Sequence, residues 1–232
     1  MRNTLLRIKF QQRLNKLASF DYDNLECWQI AEAFNKAQRE WFRRQVYGIN
    51  LRKEGTEQSL GLIDDLQKFV TTIDLKGENK QVFFESTAIP DDYSYFIKIA
   101  ITGNQRDCKD RHFKVYLAEE ANADLLLTDP FKGPSFEWSE TFATMHANTF
   151  KIYTNDEFHV ETVTLSYYRK PLDISFDGCI NPATGVVNAD QTCEFKDDIT
   201  ELIIDEAVAI LAGDIESMNQ YQRAESNVQK ST

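Results

Sequence analysis

The apolar residues of this 232-residue chain change their spacing twice. They recur every three or four positions over residues 4–70, every second position through most of 71–196, and every three or four again over roughly 198–219. The outer spacing buries one stripe of an α-helix, and the inner one buries one face of a strand. The expected fold class is therefore α+β. A helical bundle of three N-terminal helices plus a C-terminal helix (1–70 and 197–220) carries an inserted antiparallel β domain at 71–196, and 221–232 form a flexible tail.

The first helix starts after Asn3 or Thr4, either of which can cap it, and buries Leu6, Phe10, Leu14 and Leu17. Ser19–Asn24 breaks it, and Asp23 or Asn24 caps a second helix that runs to about Tyr47. That helix turns Trp28, Ala31, Phe34, Ala37, Trp41 and Phe42 inward, and Gly48 stands where a left-handed end is needed. Thr56 opens a third, with Leu60, Ile63, Leu66, Phe69 and Val70 as its stripe and Gly61 permitting a close approach. Asp198 and Glu201 stand at capping-box spacing at the head of the last helix, whose wide apolar face runs from Ile199 to Met218.

Between them, 71–75 and 81–86 read as a hairpin turning at Lys76-Gly77-Glu78-Asn79. Ile97, Ile99 and Ile101, then Phe113, Val115 and Leu117, alternate as strand faces. Residues 149–153 and 158–168 make a second hairpin, and the parity switch between Val160 and Val163 calls for a bulge near Glu161. Two prolines and a glycine make 129–139 a loop, and a last strand or hairpin spans 172–195, turning around Asn181–Gly185.

Charge is polarised. Residues 1–53 hold eleven Lys and Arg against five acids, a net of +6, within a chain whose net charge is −11. Such asymmetry suits a contact with something charged, although a solvated helix face has the same pattern. A free nucleic-acid binder is more often basic overall. No apolar run approaches the ~20 residues of a membrane helix, and Met1-Arg2-Asn3-Thr4 leads into an amphipathic pattern without a signal-peptide core. The expected compartment is the cytosol of the producing cell, where Cys27, Cys108, Cys179 and Cys193 stay reduced; Cys179 and Cys193 are the pair able to face each other across a hairpin.

Residue types that carry chemistry do not gather. His112, His146 and His159 share no metal-ligand spacing, and no cysteine pair, nucleophile elbow, dinucleotide fingerprint or phosphate loop occurs. The expectation is no catalytic residues, no metal and no cofactor. Asp91-Asp92 and Asp197-Asp198 suit a turn and a helix start better than acid–base work. Trp138, in a loop with Phe131 and Phe136, reads as an exposed contact or, more plainly, as core.

Four stretches resemble a known family. They are Leu14-Asn15-Lys16-Leu17 followed by Asp23–Trp28 and Phe34–Gln38; Ile89-Pro90-Asp91-Asp92-Tyr93; Tyr167-Tyr168-Arg169-Lys170-Pro171; and Ile199-Thr200-Glu201-Leu202-Ile203. Together they resemble the head–tail connector, or portal-adaptor, proteins of short-tailed, crAss-like bacteriophages. The resemblance implies a structural virion protein, made in the host cytoplasm and not an enzyme. Its copies would form a ring of twelve under the portal, touching further connector or tail proteins. DNA would pass through the channel without sequence-specific binding, and no membrane is involved. In such adaptors the C-terminal helix or tail reaches the portal, which here is Ile210–Lys230. The interface candidates are Arg39, Arg43 and Arg44, with Ile210, Ile215 and Met218. The alternative is a soluble regulatory or nucleic-acid-binding module that sets Arg39, Arg43 and Arg44 on phosphates. A third, an enzyme using Asp91, Asp92 or Asp129, lacks an accompanying base, nucleophile or metal set.

Overall fold

A computed structural model describes residues 1–15, 25–47, 65–106, 108–180, 182 and 185–214. The chain splits into two compact units, Met1–Asp65 with Pro171–Thr232, and Leu66–Lys170.

The first unit holds three described helices, α1 (Asn3–Asn15), α2 (Cys27–Tyr47) and α4 (Asp197–Asp214). Helix α4 packs on both α1 and α2. Most of the expected stripes are buried: Leu6, Phe10 and Leu14 on α1, Ala31, Phe34, Ala37, Trp41 and Phe42 on α2, and Ile199, Ile203, Ala207 and Leu211 on α4, while Trp28, Leu202 and Ile210 are half-buried. Aromatic rings join them, with Phe10 and Phe34 at 5.2 Å and Trp41 and Phe195 at 5.0 Å between centroids.

The segment 171–196 forms no strand ladder. Its pairing is confined to single bridges, Ser175 with Gln191 and Ile180 with Val187. Helix side chains satisfy its backbone instead. Asn35 accepts from the Ile174 amide at 2.7 Å and donates to the Ile174 carbonyl at 3.0 Å. The buried Gln38 donates to the Leu172 carbonyl at 3.0 Å, and the buried Asn3 donates to the Ser175 and Gln191 carbonyls. A disulfide joins Cys27 at the head of α2 to Cys179 in this arm, across Cα atoms 5.8 Å apart, a separation that suits a bridge. The expectation of four reduced thiols is thus corrected, and Cys193 is buried and unbridged rather than paired with Cys179.

The second unit is an eight-stranded sheet: β1 (Val70–Asp74), β2 (Gly77–Asn79), β3 (Phe83–Ser86), β4 (Tyr93–Gln105), β5 (Cys108–Ala118), β6 (Glu140–His146), β7 (Thr149–Tyr153) and β8 (His159–Arg169). Their order is β1-β8-β4-β5-β6-β7-β3-β2. β1 and β2 stand at opposite ends of that order, yet only Leu75 and Lys76 separate them. Three Cα steps span at most about 11 Å, whereas the edges of a flat eight-stranded sheet stand about 33 Å apart. The sheet must therefore curl until its ends meet. Residues 70–79 act as one bent strand: Leu75 donates to the Val163 carbonyl at 2.8 Å, extending the β1–β8 ladder. Further on, the Asn79 side chain stands in for a strand backbone, donating to the Val160 carbonyl at 2.8 Å and accepting from its amide at 2.9 Å. Gly77 permits the bend, because a Cβ there would sit 2.2 Å from the Glu85 carbonyl oxygen.

Helix bundle with inserted antiparallel β domain is therefore not the architecture. The dominant element is a curled mixed sheet with its own core, and β5 and β6 run parallel. Neither expected hairpin forms, since β1 pairs with β8 and β3 with β7, while β7 pairs with β6 and β8 with β4. Lys76–Asn79 is not a turn, because closing the sheet needs those residues extended. The bulge is where parity required it: Thr102 faces Thr162 and Gly103 faces Val160, leaving Glu161 over. Of the expected third helix, most lies outside the described residues, including Thr56, Leu60, Gly61 and Ile63. Its described end gives way to a 3-10 turn at Gln67–Phe69, and Val70 already belongs to β1. Leu17, the caps Asp23, Asn24 and Gly48, and the tail 221–232 also lie outside the described residues.

Inside the curl, Phe113 and Phe158 stack at 4.3 Å among Ile99, Ile101, Phe150, Val163 and Leu165. On the outer side of β6 and β7, Phe142 and Tyr153 stack at 4.5 Å under a short helix, α3 (Ala123–Thr128). That cover explains why β6 is buried on both faces, as parallel pairs with a crossover are.

Candidate interaction surface

Parallel neighbours need a long return path. Here it is the crossover of residues 119–139 between β5 and β6, containing α3 and the proline-rich loop. It carries three strongly exposed apolar side chains, Phe131 at 92%, Trp138 at 75% and Leu125 at 71%. The plainer reading of Trp138 as core is thereby corrected, and of the three loop aromatics named at the outset only Phe136 and not Trp138 or Phe131 is buried.

The loop is anchored while its tips stay in water. The Tyr116 hydroxyl donates to the Lys132 carbonyl, beside Phe131. Ser135 and Glu140 exchange backbone hydrogen bonds at 2.9 and 3.2 Å. Arg111 donates to the Ser139 hydroxyl at 2.6 Å and to the Glu137 carbonyl at 2.7 Å, with its guanidinium 4.9 Å from the Phe136 ring centre. Those bonds bracket Trp138. Ser139 holds φ +55°, so the backbone beside Trp138 is fixed in a left-handed conformation. Burial and the nearby carboxylates Asp129 and Glu140 raise the Tyr116 hydroxyl pKa, so it stays a donor. Aromatics held out on a rigid loop lose little freedom on binding, which is how contact hot spots are built. The carboxylates of Glu119, Asp124 and Glu137 are exposed on the same crossover.

The basic N-terminal region is partly consumed within its own unit. Lys9 and Arg13 pair with Glu201, and Arg13 also with Asp205 at 2.9 Å. Burial resists charge on Glu201, but Lys9 and Arg13 together hold its carboxyl below the usual range. Glu201 therefore serves these pairs. Among the interface candidates, Arg39 is exposed and pairs with Asp173 at 2.8 Å. Arg44 pairs with the buried Glu206, whose carboxyl is pushed up to about 7 by burial, opposed by Arg44 and helped by Glu40. Arg43 is exposed, Ile210 is half-buried, and Ile215 and Met218 lie outside the described residues.

Helix α1 keeps a second face. Residues 1–15 contain no acid, and Arg2 and Arg7 are exposed there with Leu5 at 45% and Ile8 at 46%. Beside it an open groove of about 580 Å³ runs between α1 and the start of α4, where Arg2, Leu5 and Lys9 face Asp197, Asp198 and Glu201, with Asp197 paired to the Met1 amino group at 2.7 Å. Composition alone missed this surface, because Leu5 and Ile8 merge into the helical apolar pattern and only packing shows which stripe is left over.

Elsewhere the polar side chains do structural work. Asp92 accepts from the Tyr167 hydroxyl at 2.9 Å, and its carbonyl accepts from the Lys170 amide at 2.7 Å. Burial and Asp92 push the Tyr167 pKa up to about 12. The Pro90–Tyr93 turn and the Tyr167–Lys170 strand end, far apart in sequence, thus form one latch. His146 lies 3.8 Å from Glu120, and among the described residues no group of His, Cys, Asp and Glu is placed to hold a metal. No described helix is long and apolar enough to cross a membrane. No protein-family model and no curated protein matches this chain.

Proposed function

We propose that this chain is a structural, non-catalytic subunit that works by docking on other proteins, as a ring-forming head–tail connector between a portal and a tail, with DNA passing through the ring. The observation that carries the docking is the pinned crossover loop, with Phe131 and Trp138 held in water. A soluble chain gains nothing from ordering two large aromatics in solvent unless a partner covers them. The connector assignment rests on the family resemblance. It is supported by the way two of its motifs, Ile89–Tyr93 and Tyr167–Pro171, meet in the Asp92–Tyr167 latch. The nucleic-acid alternative draws less support, because Arg39 and Arg44 each have a carboxylate partner.

The test is particle mass measured on the purified full chain from nanomolar to high micromolar concentration, then negative-stain imaging with a portal protein. Closed rings, alone or seated on the portal, are the expected result. A chain that stays monomeric throughout and ignores the portal overturns the proposal.

A further inference from the structure

We infer that the crossover loop of one copy docks on the α1 face and its groove in the next copy, so that copies join head to tail. This rests on the self-assembly proposed above and names its contact surfaces. The two surfaces differ in kind and complement each other. The loop presents aromatic and leucine side chains, Phe131, Trp138 and Leu125, among the exposed carboxylates Glu119, Asp124 and Glu137. The α1 face presents Leu5 and Ile8 with Arg2 and Arg7, on a segment of fifteen residues without an acid.

Like-to-like pairing would set carboxylate on carboxylate or guanidinium on guanidinium, which is repulsive. Loop-to-helix pairing instead sets an acidic loop against a helix that carries no acid, and lets Arg2 or Arg7 meet an aromatic face. The groove between α1 and α4 is shallow and open, and it adjoins this face. It offers the Leu5 side chain and the Arg2 stem to an indole ring, and the Asp198 carboxylate as an acceptor for its N–H, while Glu201 stays held by Lys9 and Arg13. Because the surfaces are different patches of one chain, the contact is heterologous, and repeating it gives a ring when the rotation closes.

Two full-length variants test this: Phe131→Asp with Trp138→Asp, and Leu5→Asp with Arg7→Glu. All four side chains are exposed, and circular dichroism melts confirm that each variant folds. Particle mass is then measured for the native chain, for each variant alone and for the mixture. Native rings, two monomeric variants and a mixture that stops at dimers are expected, each variant weakening self-association by at least about tenfold. Rings formed by either variant alone would overturn this contact while leaving self-assembly standing. A mixture that stays monomeric would also overturn the pairing, and a native chain that never associates would overturn both.

Discussion

Single side chains here act mainly by closing gaps that the backbone leaves. Glu206 is the most consequential ionisable group. Burial and Glu40 push its carboxyl up to about 7, against the opposing effect of Arg44. A carboxyl raised in the folded state adds stability that is complete below its unfolded value near 4.5 and is lost as pH climbs through about 7. Asp205, also raised by burial, acts in the same direction. The melting temperature of the native chain should therefore fall between pH 5 and pH 8, and Glu206→Gln should flatten that fall, by an amount on the order of 1–3 kcal/mol. A variant with the native pH profile would show that Glu206 ionises normally. The Tyr167 hydroxyl is the second case. Tyr167→Phe removes its bond to Asp92 and should cost about 1–2 kcal/mol in denaturant unfolding.

Elements in this chain owe their partners to distance more than to pattern. β1 and β2 are consecutive, yet they sit at opposite ends of the strand order. Asn79 joins the two ends by bonding both polar groups of the Val160 backbone. Asn79→Ala should leave the ladders on either side intact and open this seam, at a cost of about 1–3 kcal/mol. Hydrogen exchange at the Val160 amide reads it directly: faster exchange there, with Leu165 little changed, is the expected outcome, and unchanged exchange would mean the seam does not depend on Asn79. The helices were more legible than the strands. Leu6, Phe10 and Leu14 on α1 needed only their spacing, because a helix satisfies its own backbone and its stripe follows from the period. A strand leaves all of its backbone hydrogen bonds to neighbours that alternation does not name. Both short hairpins read between adjacent segments were displaced for that reason.

For the molecule as a whole, surface chemistry matters more than the size of the core. The net charge of −11 hides a basic, acid-free start and an acidic crossover loop that carries the most exposed aromatics among the described residues. Those two surfaces make directional association the central expectation, and the two variant pairs separate the fate of the contact from the fate of the assembly. The arm at 171–196 shows the same lesson in another form. Its sequence suits a closing strand or hairpin, and it is instead a strap held by Asn3, Asn35, Gln38 and the Cys27–Cys179 bridge. Each of those anchors lies more than a hundred residues from its partner.

Residue order alone was enough for properties that one segment settles within itself: the inward stripes of α1, α2 and α4, the Asp91-Asp92 turn, the loop at 129–139 and the bulge at Glu161. Tertiary structure decided which strands pair, that β5 and β6 run parallel, that Cys27 meets Cys179, and that Trp138 faces water while Phe136 does not. The division has a physical cause. Side-chain period and turn chemistry act over a few residues, whereas strand neighbours, bridges and exposure depend on segments meeting across a sheet that had to curl to bring its own ends together.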